Sequence, residues 1–468
     1  MGRQARGYKS AVTVDFEATY GVRPGVKKAF RVPIRSFEVA ESRDQTPDEI
    51  LTGSRNPVAP DEGLTDERGS ADVPVDAHSF GIWLRGLFGL PATEPVPALT
   101  LDAGNAVDKG AGKVGLPATG HGLAAGAPVL ISGTTGYDGA HSLATETTDN
   151  ELVIAAPYAA EAFDGTETVQ LARVVTLLGD ATDRGDGTVA LPSKGHGLPV
   201  GAQVVITGTV NYDGTHVVRR GTGLDAIVIT AAFVEESFDD TPTASAGFFD
   251  HTYVVVDDMP SFLAEKAFPD LPLYAVCEGL KLNSLGLSVG ESGAMSASLD
   301  IVGRGESDST QPYDASAVRL PLYKFQQRQA RILEDGVLLA DRLKTFSLDV
   351  SNDLDTEDGY TIGADGRRGS LSEGLMTLSG QMTALFKDTR FLEASNTGER
   401  KRLEILLVNS GYQLSLLLPE CLYQRNTPAI SGPKGVKEEF SYSAFHDVAS
   451  EGSGLVVRLR NEIKTWEE

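Results

Sequence analysis

The chain has few basic residues, few aromatics and almost no cysteine. Lys and Arg number 41 against 65 Asp and Glu, a formal net charge of −24 over 468 residues. Binding nucleic acid by phosphate neutralisation needs a basic patch, and this balance argues against one. An acidic surface keeps a protein soluble and repels DNA. Aromatics make up 7% of the chain while Gly reaches 51 residues, which predicts many turns and few long helices. The two cysteines, Cys277 and Cys421, are too few and too far apart for a disulfide framework or a zinc-binding spacing. They are read as buried, inert thiols. No apolar run approaches the roughly 20 residues of a membrane span. The opening MGRQARGYKS has no apolar core for a secretory signal, and Arg6 stands where a myristoylation motif wants Ser or Thr. The expectation is a protein made in a cytoplasm, soluble there, with no membrane partner.

Catalytic signatures are missing as well. There is no GxSxG elbow, P-loop, HExxH or dinucleotide fingerprint. Asp353, Asp355, Glu357 and Asp358 hint at a calcium loop, but the sixth position is Asp358 instead of Gly and the twelfth is Ala364 instead of Glu. A charged hairpin loop is the plainer reading. With 65 acidic residues, any pairing of carboxylates for glycoside hydrolysis is uninformative. No catalytic, cofactor-binding or metal-ligating residue is predicted, no cofactor is called for, and the chain is not expected to be an enzyme.

What the chain does have is a sequence written twice. Gly120-His121-Gly122-Leu123 returns as Gly195-His196-Gly197-Leu198, an offset of 75. Gly133, Tyr137-Asp138-Gly139 and His141 return as Gly208, Tyr212-Asp213-Gly214 and His216 without a gap. From Val114 to His141, 17 of 28 aligned positions are identical, which marks a tandem duplication. Each copy alternates short apolar stretches with turns, as in Pro128–Ile131, His141–Thr145 and Glu151–Ala155. Asp-Gly between extended segments favours a hairpin. Two small all-β modules are predicted, 98–172 and 173–250, each a short barrel or sandwich. The block 98–250 holds 19 Asp and Glu against 7 Lys and Arg, half of the chain's net charge. His121 and His196, and His141 and His216, recur in register. Two histidines per module, with Asp138 or Asp213, fall short of the three or four converging ligands a metal needs, and His121 and His196 are read as turn residues flanked by Gly.

Without that block, 1–97 and 251–468 read as one interrupted domain. Extended stretches are expected at Val12–Tyr20, Ala29–Val39, Tyr253–Val256, Leu273–Leu280, Leu285–Val289, Ala294–Val302, Thr345–Val350, Gly374–Phe386 and Leu455–Leu459. Leu403–Val408 and Tyr412–Leu418 form a hairpin across Asn409-Ser410-Gly411. Leu51–Gly69 reads as loop, and 1–11 and 40–75 as long polar arms. The clearest helix is Ala77–Phe88, with Asp76 as N-cap. Phe80, Trp83, Leu84 and Leu87 fall on one face, Gly89 ends the helix and Pro91 prevents its continuation. Asp388 is placed to cap a second, short helix through Ala394. The fold class predicted is mainly β: an antiparallel β-sandwich or partial barrel with one or two helices, interrupted by two tandem small all-β domains.

Several stretches resemble the tail tube proteins of long-tailed bacteriophages: FEATYGVRP (16–24), GLTDERGSADVP (63–74), the run from Met259 to Gly303, and GLMTLSGQMTALFKD (374–388). They occur in the family's order across both arms; the long insert is where this chain departs from simpler members. The string GHGL…YDG resembles a small β module that recurs in phage tail and other virion proteins, where it decorates a larger scaffold. The resemblance implies that six copies form a ring, that their inner sheets merge into one barrel, and that rings stack into a tube for DNA delivery. The partners implied are further copies of the chain and other tail proteins at the tube ends. Genomic DNA would pass through the lumen without specific binding. The implied location is the virion tail, after assembly in the host bacterial cytoplasm. A 75-residue module has a radius of gyration of about 11 Å, and twelve of them could not share a lumen with duplex DNA roughly 20 Å wide. The modules are therefore expected outside, where a contractile sheath would clash with them, so a flexible non-contractile tail is expected. Two other classes stay open: a virion protein whose modules bind a host surface or carbohydrate, and a phage-borne hydrolase.

Overall fold

The computed structural model describes residues 4–56, 58–290, 292–340, 342–430, 433, 435–446 and 452–467. Among them are two α-helices, Phe80–Phe88 and Arg390–Thr397, in an otherwise mainly β molecule. The paired strands run antiparallel. Both arms of the chain enter one extended sheet system. One run proceeds from Asp61–Pro74 through Ser296–Gly303, Leu273–Val289, Leu343–Ser351, Thr377–Leu385, Lys437–Phe445, Tyr412–Tyr423, Val456–Asn461 and Phe249–Val254 to Ala92–Pro95.

Leu273–Val289 is one bent strand where the sequence suggests two. Its first half pairs with Phe262–Phe268 and Gly305–Ser309, and its second half with Ser296–Gly303 and Leu343–Ser351. Between the halves, Gly279 takes φ 63°, and a Cβ there would lie 3.0 Å from the Tyr20 ring. Its amide donates to Glu17 Oε1 at 3.0 Å, so the backbone turns the corner with its polar group satisfied. Phe262–Phe268, Ala11–Phe16 and Phe30–Val32 extend the sheet beyond that corner.

The first helix is shorter than expected, and the reason is local. The Asp76 carboxylate accepts the amides of His78, Ser79 and Phe80, so a capped turn precedes helical winding at Phe80. Phe80, Trp83, Leu84 and Leu87 are buried as the stripe predicts, but so are Ile82 and Phe88, and the helix is enclosed by its surroundings. Trp83 meets Phe262 edge-on, and Gly81 lies under the Trp466 ring, where a Cβ would come within 2.4 Å. The second helix starts at Arg390, close to its predicted position.

The stretch 51–69 is not simply loop. Asp61–Pro74 is a 14-residue strand, and its outer part pairs with Ala40–Thr46 in a polar hairpin, from Ala40↔Arg68 to Thr46↔Asp61. Polar residues on both faces erase the period-2 signal, so backbone pairing alone defines these strands. At Gly69 a Cβ would meet the Glu38 carbonyl oxygen at 2.3 Å, which holds that position to glycine.

The repeats are matched in pairing as well as in sequence. Val114↔Ile154 in one copy is Val189↔Ile229 in the other, and Val129↔Leu171 is Val204↔Ala246. The strand Thr168–Asp180 belongs to both copies. Its start pairs with Pro128–Ser132 and the rest with Ser237–Gly247, making one sheet across the two repeats. The chain leaves and re-enters the main sheet at adjacent points, since Pro95 and Phe249 are cross-strand partners and the Val96 amide donates to Phe248 O at 2.9 Å.

Candidate functional site

The repeats are tied to the rest of the chain by a half-buried cation. Arg173 lies on the strand shared by the two copies, and its guanidinium leaves the sheet toward the scaffold. Nη1 donates to Tyr323 Oη at 2.7 Å, Nη2 donates to Tyr412 Oη, and Nε stands 3.1 Å from Glu462 Oε1. Glu462 has no exposed surface; its Oε2 is 2.9 Å from His78 Nε2 and its Oε1 accepts the Tyr412 hydroxyl at 2.7 Å. His78 Nδ1 is 2.8 Å from Pro321 O. Tyr323 and Tyr412 stack at 4.9 Å, and His78 meets both rings edge-on. Burial works against the charge on Glu462, but the hydrogen bond and charge of His78 and the charge of Arg173 hold its carboxyl below the usual carboxylate range. Burial also opposes the Arg173 charge, and Glu462, Tyr412 and Tyr323 together outweigh it.

Backbone contacts add to this anchor. Ala202 bridges Ile463, the Lys464 amide donates to Gly201 O at 2.8 Å, and Arg220 Nη1 donates to Ala29 O at 3.0 Å. At Gly411 a Cβ would press on Phe248 and on Leu171 of the first copy. The repeats are therefore docked on the scaffold along both copies, not hung from it.

The recurrent histidines act as turn staples. His121 Nδ1 accepts the Leu123 amide while Nε2 reaches Thr148 O; His196 does the same with Leu198 and Gly223. An accepting Nδ1 leaves the proton on Nε2, which donates to the carbonyl. Burial lowers the pKa of His196, in keeping with that neutral form. His141 and His216 reach Tyr137 O and Tyr212 O. Asp138 and Asp213 each accept the amide and hydroxyl of one threonine, Thr134 and Thr209. In the acidic loop at 353–358, Asp355 spends an oxygen on the amides of Glu357 and Asp358.

Both cysteines are buried and unpaired. Cys421 lies in the scaffold sheet with its thiol pushed up to about 12 by burial. Cys277 keeps different company: its sulfur and oxygens of Glu67 and Glu306 lie within 4.8 Å of one another, the one such grouping of His, Cys, Asp and Glu among the described residues. The three come from separate strands, so no spacing in the sequence could reveal them. A surface cleft of about 430 Å³ beside the second helix is lined by Glu334, Asp335, Arg390, Glu399 and Lys401, which pair with one another. No helix among the described residues is long and apolar enough to cross a membrane.

Compared with known proteins, residues 7–444 match a family model described as phage tail tube protein. The match runs through both arms and the repeats between them. A search of curated proteins finds no match.

Proposed function

The chain belongs to the phage tail tube protein family, and from that membership we propose that six copies close into a ring and that rings stack into the virion's tail tube. The observation carrying this reading is a family match over residues 7–444, which takes in most of both scaffold arms. The polar hairpin supports it. Among the described residues, Ala40–Thr46 has a strand partner on one side only, and an open edge is tolerable when assembly buries it. Contact that closes makes a ring, and contact that repeats without closing makes a filament. The net charge of −24 suits a lumen through which DNA slides without sticking.

In this reading 1–97 and 251–468 are the tube domain, and 98–172 and 173–250 are modules inserted at the tip of the hairpin formed by Ala92–Pro95 and Phe249–Val254. The modules face outward, the tail has no contractile sheath, and assembly takes place in the host cytoplasm. Electron microscopy of the purified protein and of the virion tests each part. Stacked six-fold rings with paired knobs on the outside are expected. A persistent monomer absent from virions defeats the tube reading, and a sheath around the tube defeats the non-contractile one.

One observation favours a second role for the modules. Tyr158 and Phe233 are equivalent residues 75 apart, and both stand out from the surface at 47% and 41% exposure. Exposed aromatics recurring in register suit stacking against a saccharide of the host surface. Glycan-array binding that is lost on Tyr158→Ala with Phe233→Ala would support this, and unchanged binding would refute it.

A further inference from the structure

Glu67 sits at the root of the polar hairpin with no exposed surface, and neither carboxylate oxygen makes a hydrogen bond of acceptable geometry. Its nearest polar neighbours are the Cys277 thiol and the Gly305 amide. A buried carboxyl without partners costs free energy and needs an explanation. Glycine makes room for it: a Cβ on Gly303 would lie 2.6 Å from Glu67 Oε2. We propose that Glu67, Cys277 and Glu306 form a structural site for one divalent, zinc-like metal ion that fastens the hairpin root to the corner of the scaffold.

The donor set and its spacing carry this assignment. Tetrahedral zinc takes thiolate sulfur at about 2.3 Å and carboxylate oxygen at about 2.0–2.2 Å, which puts the ligand atoms roughly 3.5 Å apart. Cys277 Sγ and Glu306 Oε2 stand at 3.7 Å, and the Glu67 oxygen lies within 4.8 Å of both. A small inward turn of Glu67 completes three corners and leaves the fourth to water. One soft and two hard donors suit a borderline ion; calcium and magnesium ask for six or more oxygens.

Charge balances with and without the ion. Lys266 Nζ is 2.7 Å from Glu306 Oε2 and 2.7 Å from Val39 O. Without metal, the Lys266–Glu306 pair is neutral, and a protonated Cys277 and Glu67 add nothing. With metal, one thiolate, two carboxylates, one ammonium and a divalent cation again sum to zero. Binding thus forms the metal–sulfur and metal–oxygen bonds, and the Cys277 thiol, with Glu67 where it is protonated, gives up its proton on becoming a ligand.

The site would tie three strands together. Glu67 belongs to Asp61–Pro74, Cys277 to the bent strand before its corner, and Glu306 to Gly305–Ser309. The Glu306 amide donates to Glu41 Oε2 at 2.8 Å, which brings in the other hairpin strand. The importance of a stiff hairpin root for ring stacking rests on the proposed tube function; the metal site itself does not.

The test uses the full-length protein, stripped with a chelator and titrated with Cd²⁺, Zn²⁺ and Mg²⁺. A thiolate-to-cadmium absorption band saturating at one ion per chain is expected, with protons released on binding in weakly buffered solution. Zn²⁺ competes for the site and Mg²⁺ does not. Cys277→Ser abolishes the band, Cys421→Ser keeps it, and Glu67→Gln weakens binding at least tenfold. Absence of the band in the folded wild type, or its survival in Cys277→Ser, overturns the proposal. If Cys277→Ser fails to fold, wild-type affinity in Glu67→Gln is the overturning result. Ring formation is scored separately by microscopy, so either reading can fail alone.

Discussion

Replacing Arg173 by Met should destabilise the whole chain, although the residue lies in the repeat block. Glu462 is fully buried, and its carboxylate faces the Arg173 guanidinium and the His78 imidazole. Removing Arg173 leaves Glu462 only His78 and the Tyr412 hydroxyl, a loss of about 2–3 kcal/mol. The hydroxyls of Tyr323 and Tyr412 lose their donor at the same time. Arg173→Lys keeps the charge and loses the fork, and should cost about 1–2 kcal/mol. Arg173→Met with Glu462→Gln removes both charges and should recover a good part of the loss. The assay is urea unfolding followed by tryptophan fluorescence. Trp466 donates to His78 O at 3.2 Å and so reports directly on this site. The Glu462 pKa is lowered in the folded state. Its contribution is therefore present above the unfolded carboxyl value of about 4.3 and is lost as pH falls through the lower folded value. The gap between wild type and Arg173→Met should narrow on acidification through that window. A cost below about 1 kcal/mol at pH 7, or a double variant no better than the single one, would refute the reasoning. The same logic governs excision of the repeats. Pro95 and Phe249 are cross-strand partners, so a two-residue turn can rejoin them, but excision also removes Arg173. The excised chain should fold markedly better with Glu462→Gln than without it, by circular dichroism and thermal melting.

His251 has no exposed surface, and burial lowers its pKa to about 4. The unfolded chain then binds the extra proton first, so stability should fall by about 3 kcal/mol as pH drops from 6.5 to 4; an unchanged slope in His251→Asn would contradict this. Tyr137 and Tyr212 each donate to a backbone carbonyl and accept an amide, at Ala159 and Val234. Tyr→Phe at either position should cost about 1–3 kcal/mol and speed hydrogen exchange at that amide, to a matching degree in both copies. Gly81→Ala drives a methyl into the Trp466 ring and should cost about 1–3 kcal/mol with a shifted fluorescence maximum; wild-type emission and stability would show that the ring yields freely.

What the sequence determined by itself is what lies within reach along the chain. The offset of 75 foretold that the two copies fold alike, and the pairing Val129↔Leu171 returns as Val204↔Ala246, because the side-chain period specifies register wherever one face is buried. Asp76 ahead of an apolar helical stripe was legible for the same reason: a cap acts over three or four residues. The hairpin at 403–418 was legible from its turn and alternation. The tertiary structure decided the rest. Only it shows that polar 61–74 is a strand, because its partner backbone supplies the order that its side chains do not encode. Only it sends Arg173 across 289 positions to Glu462 and gathers Glu67, Cys277 and Glu306 from three strands. These groupings depend on which backbones lie side by side after the corner at Gly279 is turned, and no local pattern carries that information.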